Sequence, residues 1–265
     1  MRSGVRIARF AKGDVVAYGV IEGEPALTIA ELYGHPFGVH PGNVRFTGQR
    51  YPLAEVRLLA PVLPSKVIAV GKNYAAHTRE MGFDQPAEPT LFLKPSTAVT
   101  GPGDRIAYPV KLTERVEYEG ELAVIIGRLC RDVPKERAED VIFGYTCAND
   151  VTARDLQFRD DQWTRGKGFD TFCPLGPWIE TGTDPSDLGL TTTVNGEVKQ
   201  HATTRELVWD VPSLIAYISV VMTLLPGDVL LTGTPEGVGP LVDGDEVSVT
   251  IETIGTLTNR VVVRD

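Results

Sequence analysis

The amino-acid sequence predicts an α+β protein that is predominantly β. Two observations carry that expectation. The 265-residue chain offers many short β-like runs bounded by Gly, Pro, Asn and Asp, and its few helical patterns do not alternate regularly with those runs. Regular alternation would indicate a doubly wound parallel sheet; its absence points to a large, mostly antiparallel or mixed sheet system. With 42% hydrophobic residues there is ample material for a core, in one large domain or two unequal ones.

Residues 1–64 alternate short runs (Arg6 to Phe10, Val15 to Glu22) with turns such as Gly34-His35-Pro36 and His40-Pro41-Gly42, as expected of a small β-rich N-terminal domain. Pro61-Val-Leu-Pro64-Ser65 then breaks regular structure, and Lys66-Val-Ile-Ala-Val70-Gly71 starts a strand, which places the boundary near residue 64 and a second domain at 65–265. In that second part strands are expected at 66–71, 90–94, 116–126, 143–149, 177–181, 190–195, 228–232 and 245–251. Helices are expected at about 73–82, 134–141, 153–161 and 211–225. The last has Pro212 near its start, apolar residues at 214, 218, 221 and 225, and Pro226-Gly227 as its stop, the pattern of a packing helix.

Lys plus Arg number 26 against 35 Asp plus Glu, a formal charge of -9, and no long basic run interrupts the chain. Nucleic acid and anionic membrane are poor partners for such a surface. The N-terminal residues lack the continuous apolar core of a signal peptide, and Val211 to Leu225 is too short to span a bilayer, so a cytoplasmic protein is expected. Cys130, Cys147 and Cys173 lie far apart without a C-x-x-C pair and read as reduced thiols.

The chemistry-bearing candidates begin with Glu117, Glu119 and Glu121, which alternate with Tyr118, Gly120 and Leu122 ahead of the apolar run Ala123-Val-Ile-Ile-Gly127. Residues i, i+2 and i+4 of a strand share a face, so three carboxylates would crowd together. A solvated outer face and an inward face neutralised by a cation or by protons both fit this segment. A second run, Val141-Ile-Phe-Gly-Tyr-Thr-Cys-Ala148, ends in Asn149-Asp150 ahead of Thr152-Ala-Arg154-Asp155-Leu-Gln157. Thr152 and Asp155 can cap a helix, which would set Asp150 at a strand-to-helix junction facing a cleft, the alternative being a plain turn role. Two glutamates and an aspartate supply hard oxygen ligands suited to Mg²⁺ or Mn²⁺, and no His-Glu-x-x-His supports a zinc peptidase. For an anionic substrate, extra positive groups are available nearby in Arg154, Arg165 and Lys167.

His77 and Glu80 stand i, i+3 on one helical face, where a carboxylate can orient an imidazole as a general base; a surface contact is the plainer reading. Leu230-Leu-Thr232-Gly-Thr234-Pro-Glu-Gly237-Val-Gly239 leaves a strand into a glycine-rich loop whose hydroxyls and N–H groups could hold a carboxylate. It lacks the Gly-Lys-Ser/Thr ending of a P-loop, and an ordinary tight turn is its alternative.

In order, Gly71-Lys-Asn-Tyr-Ala-Ala-His77, Leu91-Phe-Leu-Lys-Pro-Ser-Thr97, Tyr118-Glu-Gly-Glu-Leu-Ala-Val-Ile-Ile-Gly127, Gly144 to Gln157, Gly166 to Trp178 and Pro226 to Gly239 resemble the fumarylacetoacetate hydrolase family, in its shorter bacterial and mitochondrial type. The resemblance covers about residues 65–260, with 1–64 matching only loosely. It implies a mixed β-roll with one Mg²⁺ or Mn²⁺, usually in a homodimer, acting on a small anionic 2-oxo acid. The metal ligands it implies are Glu119, Glu121 and Asp150; Glu117 is not carried over. His77 and Glu80 fall on a water-activating pair in a segment that closes over substrate. Gln157 and Lys167 fall near substrate and water, and Arg154 and Thr234 on residues shaping the substrate pocket. The large animal hydrolase has a further acidic ligand just before its histidine, whereas Val70 to Ala76 contains no acid, which points away from fumarylacetoacetate and towards short 2-oxo acids with a second carbonyl or carboxylate. The implied chemistry is hydrolysis of a C–C bond through a pyruvate enolate. Decarboxylation of oxaloacetate-like acids and isomerisation of a hydroxy-dienedioate are the rivals, with a catalytically silent acid-binding protein as a different class.

Overall fold

A computed structural model describes residues 4–39 and 43–264, so the turn expected at His40-Pro41-Gly42 lies outside the described residues. Strands account for 43% of the structure and helices for 17%, the β-dominated α+β fold the sequence predicts. The main sheet has twelve strands. Its path runs from the N-terminal strands Phe46–Pro52, Thr28–Leu32, Val15–Glu22 and Arg6–Lys12, through Cys173–Glu180, Ile142–Asn149, Gly120–Ile126 and Val229–Leu231, to Val67–Gly71 and Thr90–Lys94. Arg6–Lys12 pairs with Cys173–Glu180, so the strands before residue 64 share a sheet with the rest. A five-stranded sheet (Glu197–Thr203, Gly189–Val194, Glu246–Ile251, Gly255–Val263, Arg105–Tyr108) and a three-stranded one (Thr152–Ala153, Val116–Tyr118, Gly239–Pro240) complete the set. Most pairs are antiparallel; Val229–Leu231 with Val67–Gly71 is one of the parallel exceptions.

Gly120–Ile126 sits at the centre and is buried on both faces. Leu122, Val124 and Ile126 pack into one core with Leu190, Val249 and Ile251, while Ala123 and Ile125 pack into another with Val67, Ala69 and Leu231. That is why its sequence is a continuous apolar run rather than an alternation. Each fully buried Val, Leu or Ile there contributes about 1.5–3 kcal/mol, which holds the strand fixed and with it the acids at its start.

The helices are α1 (Ala75–Glu80), α2 (Arg154–Arg159), α3 (Thr164–Lys167) and α4 (Val211–Val221). Segment 134–141, expected as a helix, forms the 3₁₀ turn Lys135–Asp140. α4 starts where Asp210 accepts a hydrogen bond from Ser213 N at 2.9 Å, and it buries Val211, Leu214, Ile215 and Ile218. It stops four residues short of the predicted end, because the chain beyond it turns extended at Met222 and Leu224 bridges Cys130. Val221 and Leu225, expected on its packing face, are 58% and 37% exposed. The cap expected from Thr152 and Asp155 is not made. Thr152 Oγ1 donates to Asp150 O at 2.9 Å, and the Asp155 carboxylate accepts from the Thr113 hydroxyl and from Glu114 N. No described helix is long and apolar enough to cross a membrane.

Candidate metal and acid-binding site

The predicted strand 116–126 is in fact two strands meeting at Glu119. Val116–Tyr118 belongs to the three-stranded sheet and Gly120–Ile126 to the main sheet. Asn149 closes the break, its side-chain oxygen accepting from Glu119 N at 2.9 Å, while Glu119 O accepts from Asp150 N at 2.8 Å. This change of sheet brings Asp150 against the glutamates. Gly120 is required between them, since a Cβ there would lie 2.1 Å from Thr192 Oγ1.

Glu117, Glu119 and Glu121 are 1%, 5% and 2% exposed, which rules out the solvated outer face. Each meets a different environment. Glu117 accepts from Arg115 Nε and Arg154 Nε, both at 2.6 Å. Glu119 accepts from Arg154 Nη2 at 2.5 Å through one oxygen and from Lys167 Nζ at 2.7 Å through the other. Glu121 accepts from Gly233 N at 2.6 Å and, among the described residues, pairs with no cationic side chain. Asp150 accepts from Lys94 Nζ at 2.5 Å and Lys167 Nζ at 2.6 Å.

Electrostatics separates the two glutamates. Burial alone would raise Glu119, but Lys167 and Arg154 outweigh it and hold the carboxyl well below the usual range. For Glu121 burial and the charges of Asp150 and Glu119 act together and push it well above that range, with Lys167 and the Gly233 N–H only partly opposing them. Lys167 is held above the ordinary lysine value; burial works against this, and Asp150 and Glu119 overcome it. Lys167 therefore stays an ammonium, a charge and a donor rather than a base.

Glu119, Glu121 and Asp150 offer oxygens that all lie within 4.8 Å of one another. Three hard donors, one of them raised in pKa by its neighbours for want of a counter-charge, fit a small divalent cation of the Mg²⁺ or Mn²⁺ type. They open into a cleft whose lining includes His77, Arg154, Gln157, Lys167 and Thr234. The other predicted site residue, Glu80, accepts a 3.1 Å bond to His77 Nδ1 through one oxygen and one from Gly237 N at 3.0 Å through the other. Gly237 makes that approach at φ +93°, where a Cβ would strike Lys199 O.

The glycine-rich loop thus holds carboxylates as its chemistry suggests, but the protein's own, Glu121 and Glu80. Thr234 lines the cleft with its hydroxyl proton committed to Gly120 O at 2.9 Å, while its oxygen accepts from Gln200 Nε2 at 2.8 Å. Gln157 accepts from Arg154 Nη1 at 2.5 Å. Arg165, offered by the sequence as a positive group for the site, is 56% exposed and paired with Asp160. Lys94 went unnoticed as part of the site. Its place in the matching block Leu91 to Thr97 is the available signal, as Gly144 to Gln157 is for Asn149, whereas Gln200 lies in no such block.

Fold and site together define a β-rich protein with a buried carboxylate cluster whose donors fit a divalent cation, in one cleft with a histidine–carboxylate pair. The chain belongs to the fumarylacetoacetate hydrolase family: residues 66–262 match the fumarylacetoacetate (FAA) hydrolase C-terminal family, and residues 5–61 match the Rv2993c-like, N-terminal family. Among solved structures it is similar to 5-carboxymethyl-2-hydroxymuconate delta-isomerase from Mycobacterium smegmatis, with 56% identity, TM-score 0.91, and 98% of this chain and 100% of that one covered. It is also similar to maleylpyruvate hydrolase from Sphingobium sp. SYK-6 in complex with manganese (II) ion and pyruvate, with 37% identity, TM-score 0.80, and 98% and 100% covered. Oxaloacetate tautomerase YisK of Bacillus subtilis (strain 168) is 44% identical over 225 residues, 80% of this chain and 75% of that protein.

Proposed function

We propose that this chain is an enzyme dependent on Mg²⁺ or Mn²⁺ that acts on short 2-oxo acids and hydrolyses the C3–C4 bond of acylpyruvate-type substrates. The observation that carries the reading is the opening of the buried Glu119, Glu121 and Asp150 cluster into the same cleft as a histidine whose Nδ1 is engaged by Glu80. Glu119, Glu121 and Asp150 would hold the divalent ion, which would supply Lewis acidity towards the substrate's carboxylate and 2-oxo group.

The chain's own residues do the rest. With Nδ1 engaged by Glu80, the other ring nitrogen of His77 is free to act in the cleft and takes a proton from water as its oxygen adds to the C4 carbonyl. The Lys167 ammonium and the Gln157 amide donate to the oxyanion that forms. The C3–C4 bond then breaks with its electron pair passing to C3, and the proton held on His77 is returned there, leaving pyruvate and a carboxylic acid. Phe92 and Trp163, packed edge to face at 5.2 Å, form an apolar part of the cleft wall.

The similarity to an oxaloacetate tautomerase favours a second reading on the same residues, in which His77 takes its proton from C3, the C3–H electron pair passes into the enolate, the proton ends on the 2-oxo oxygen, and no C–C bond is cut. Decarboxylation of oxaloacetate-like acids, which needs no attacking water, and isomerisation of hydroxy-dienedioates, in which a proton only moves, would use the same acid cluster. A panel of acylpyruvates, fumarylpyruvate, oxaloacetate and hydroxy-dienedioates, assayed with Mg²⁺ and with chelator, tests the proposal. Chelator-sensitive release of pyruvate from acylpyruvates supports hydrolysis. Turnover of oxaloacetate alone replaces it with the second reading, and binding without any turnover leaves a silent acid-binding protein.

A further inference from the structure

Lys72 lies one residue beyond the strand Val67–Gly71, on the segment that leads into α1, and its side chain lines the cleft. Its φ of 61° is in the left-handed region that residues with a Cβ seldom occupy. The backbone is held there by the Gln85 side-chain amide, which donates to Lys72 O at 2.9 Å. Such a conformation in a residue other than glycine recurs where the direction of a side chain matters to a site.

The charges around the cleft give Lys72 a particular position. The other two cationic side chains on its lining, Arg154 and Lys167, are both engaged by the protein's own carboxylates. Among the described residues Lys72 has no acidic partner. Its ammonium stands 4.1 Å from the centroid of the Phe83 ring, against an aromatic face that attracts a cation without neutralising it. Lys72 is thus the lining cation that no carboxylate of the described residues engages. A ligand whose carboxylate and 2-oxo group occupy the acid cluster presents its far end to the rest of the cleft.

We infer that Lys72 is a specificity determinant that selects 2-oxo acids carrying a second carboxylate at the end remote from the 2-oxo group. The inference rests on the 2-oxo acid reading of the site and narrows it to diacids. Packing of Lys72 on Phe83 for stability alone would leave the preference between diacid and monoacid untouched.

The test uses two unreactive ligands of equal chain length, 2-oxoglutarate and 2-oxopentanoate, titrated calorimetrically into the Mg²⁺-loaded protein and its K72M, K72Q and K72R variants. The parent is expected to bind the diacid about tenfold more tightly or better, as a charge-assisted contact to one carboxylate provides. K72M and K72Q should bring that ratio close to one by weakening the diacid, K72R should retain most of it, and added salt should reduce it in the parent. Equal affinity of the parent for both ligands, or a ratio unchanged in K72M and K72Q, overturns the role of Lys72 while leaving the 2-oxo acid reading in place. A parent that binds Mg²⁺ but neither ligand overturns both.

Discussion

Replacing Lys167 with Met removes the ammonium that touches Glu119 at 2.7 Å and Asp150 at 2.6 Å and leaves two buried carboxylates facing each other. Breaking a buried ion pair from one side costs about 3–5 kcal/mol. Proton uptake sets a ceiling on that penalty. Neutralising a glutamate with an ordinary value of 4.5 at pH 7.5 spans three pH units, about 4 kcal/mol. Arg154 remains on Glu119 and Lys94 on Asp150, so a loss of about 3 kcal/mol is expected, a fall in melting temperature of about 6–12 °C for a chain of this size. Below about pH 6.7, where taking up a proton costs less than that loss, the loss should shrink by about 1.4 kcal/mol per pH unit as the medium is acidified. A divalent cation should also restore more stability to the variant than to the parent, since it supplies the missing charge. Calorimetric melts of both proteins in chelator and in Mg²⁺, at pH 5.5 and 7.5, measure all three effects. A metal-free variant melting within about 2 °C of the parent at pH 7.5, or gaining no more from Mg²⁺ than the parent does, would refute this account of the cluster.

Glu119→Gln should greatly weaken Mg²⁺ binding in calorimetry and stop turnover, whereas His77→Ala should stop hydrolysis with Mg²⁺ affinity unchanged; parent-rate hydrolysis by the histidine variant would remove His77 from the mechanism. Glu121 has a higher pKa folded than unfolded, so the folded state holds its proton more tightly. Metal-free stability should therefore fall as pH rises above 4.5, by about 1.4 kcal/mol per unit up to the folded value, and denaturant titrations of Glu121→Gln should lack that component of the slope. Glu117→Gln should cost about 2–4 kcal/mol and weaken Mg²⁺ binding several-fold, because Arg154 then draws its only full counter-charge from Glu119; an unchanged Mg²⁺ affinity would show that Glu117 does not act through Arg154.

Strand periodicity was enough to gather Glu117, Glu119 and Glu121, and all three are inside. It could not reveal that the strand changes sheets at Glu119, because the pairing partners that decide this, Thr152–Ala153 and Val229–Leu231, are remote in sequence. Nor could it distinguish Glu117, held by Arg115 and Arg154, from Glu121, held by a backbone N–H. The separation of a guanidinium-bound acid from an acid in need of a cation is a tertiary property. Lys94 was hidden for a related reason: a lysine ending a strand reads as solvated until Asp150, 56 residues further on, is seen to bury it. The strand Gly255–Val263 was missed although its burial alternates, since Asn259 and Arg260 interrupt the apolar pattern at its centre. The α4 boundary erred in the opposite direction, because apolar spacing continues to Leu225 while the chain leaves the helix to pair with Cys130.

The central claim is that the buried acids and His77 together move a proton at the carbon next to the carbonyl of a 2-oxo acid. Deuterium exchange at C3 of pyruvate and oxaloacetate, followed by NMR in D₂O, reads that step whether or not a C–C bond is later cut. The account predicts protein-catalysed exchange with Mg²⁺ that vanishes with chelator, in Glu119→Gln and in His77→Ala. Exchange no faster than with Mg²⁺ alone, or exchange that survives chelator and both substitutions, would contradict it.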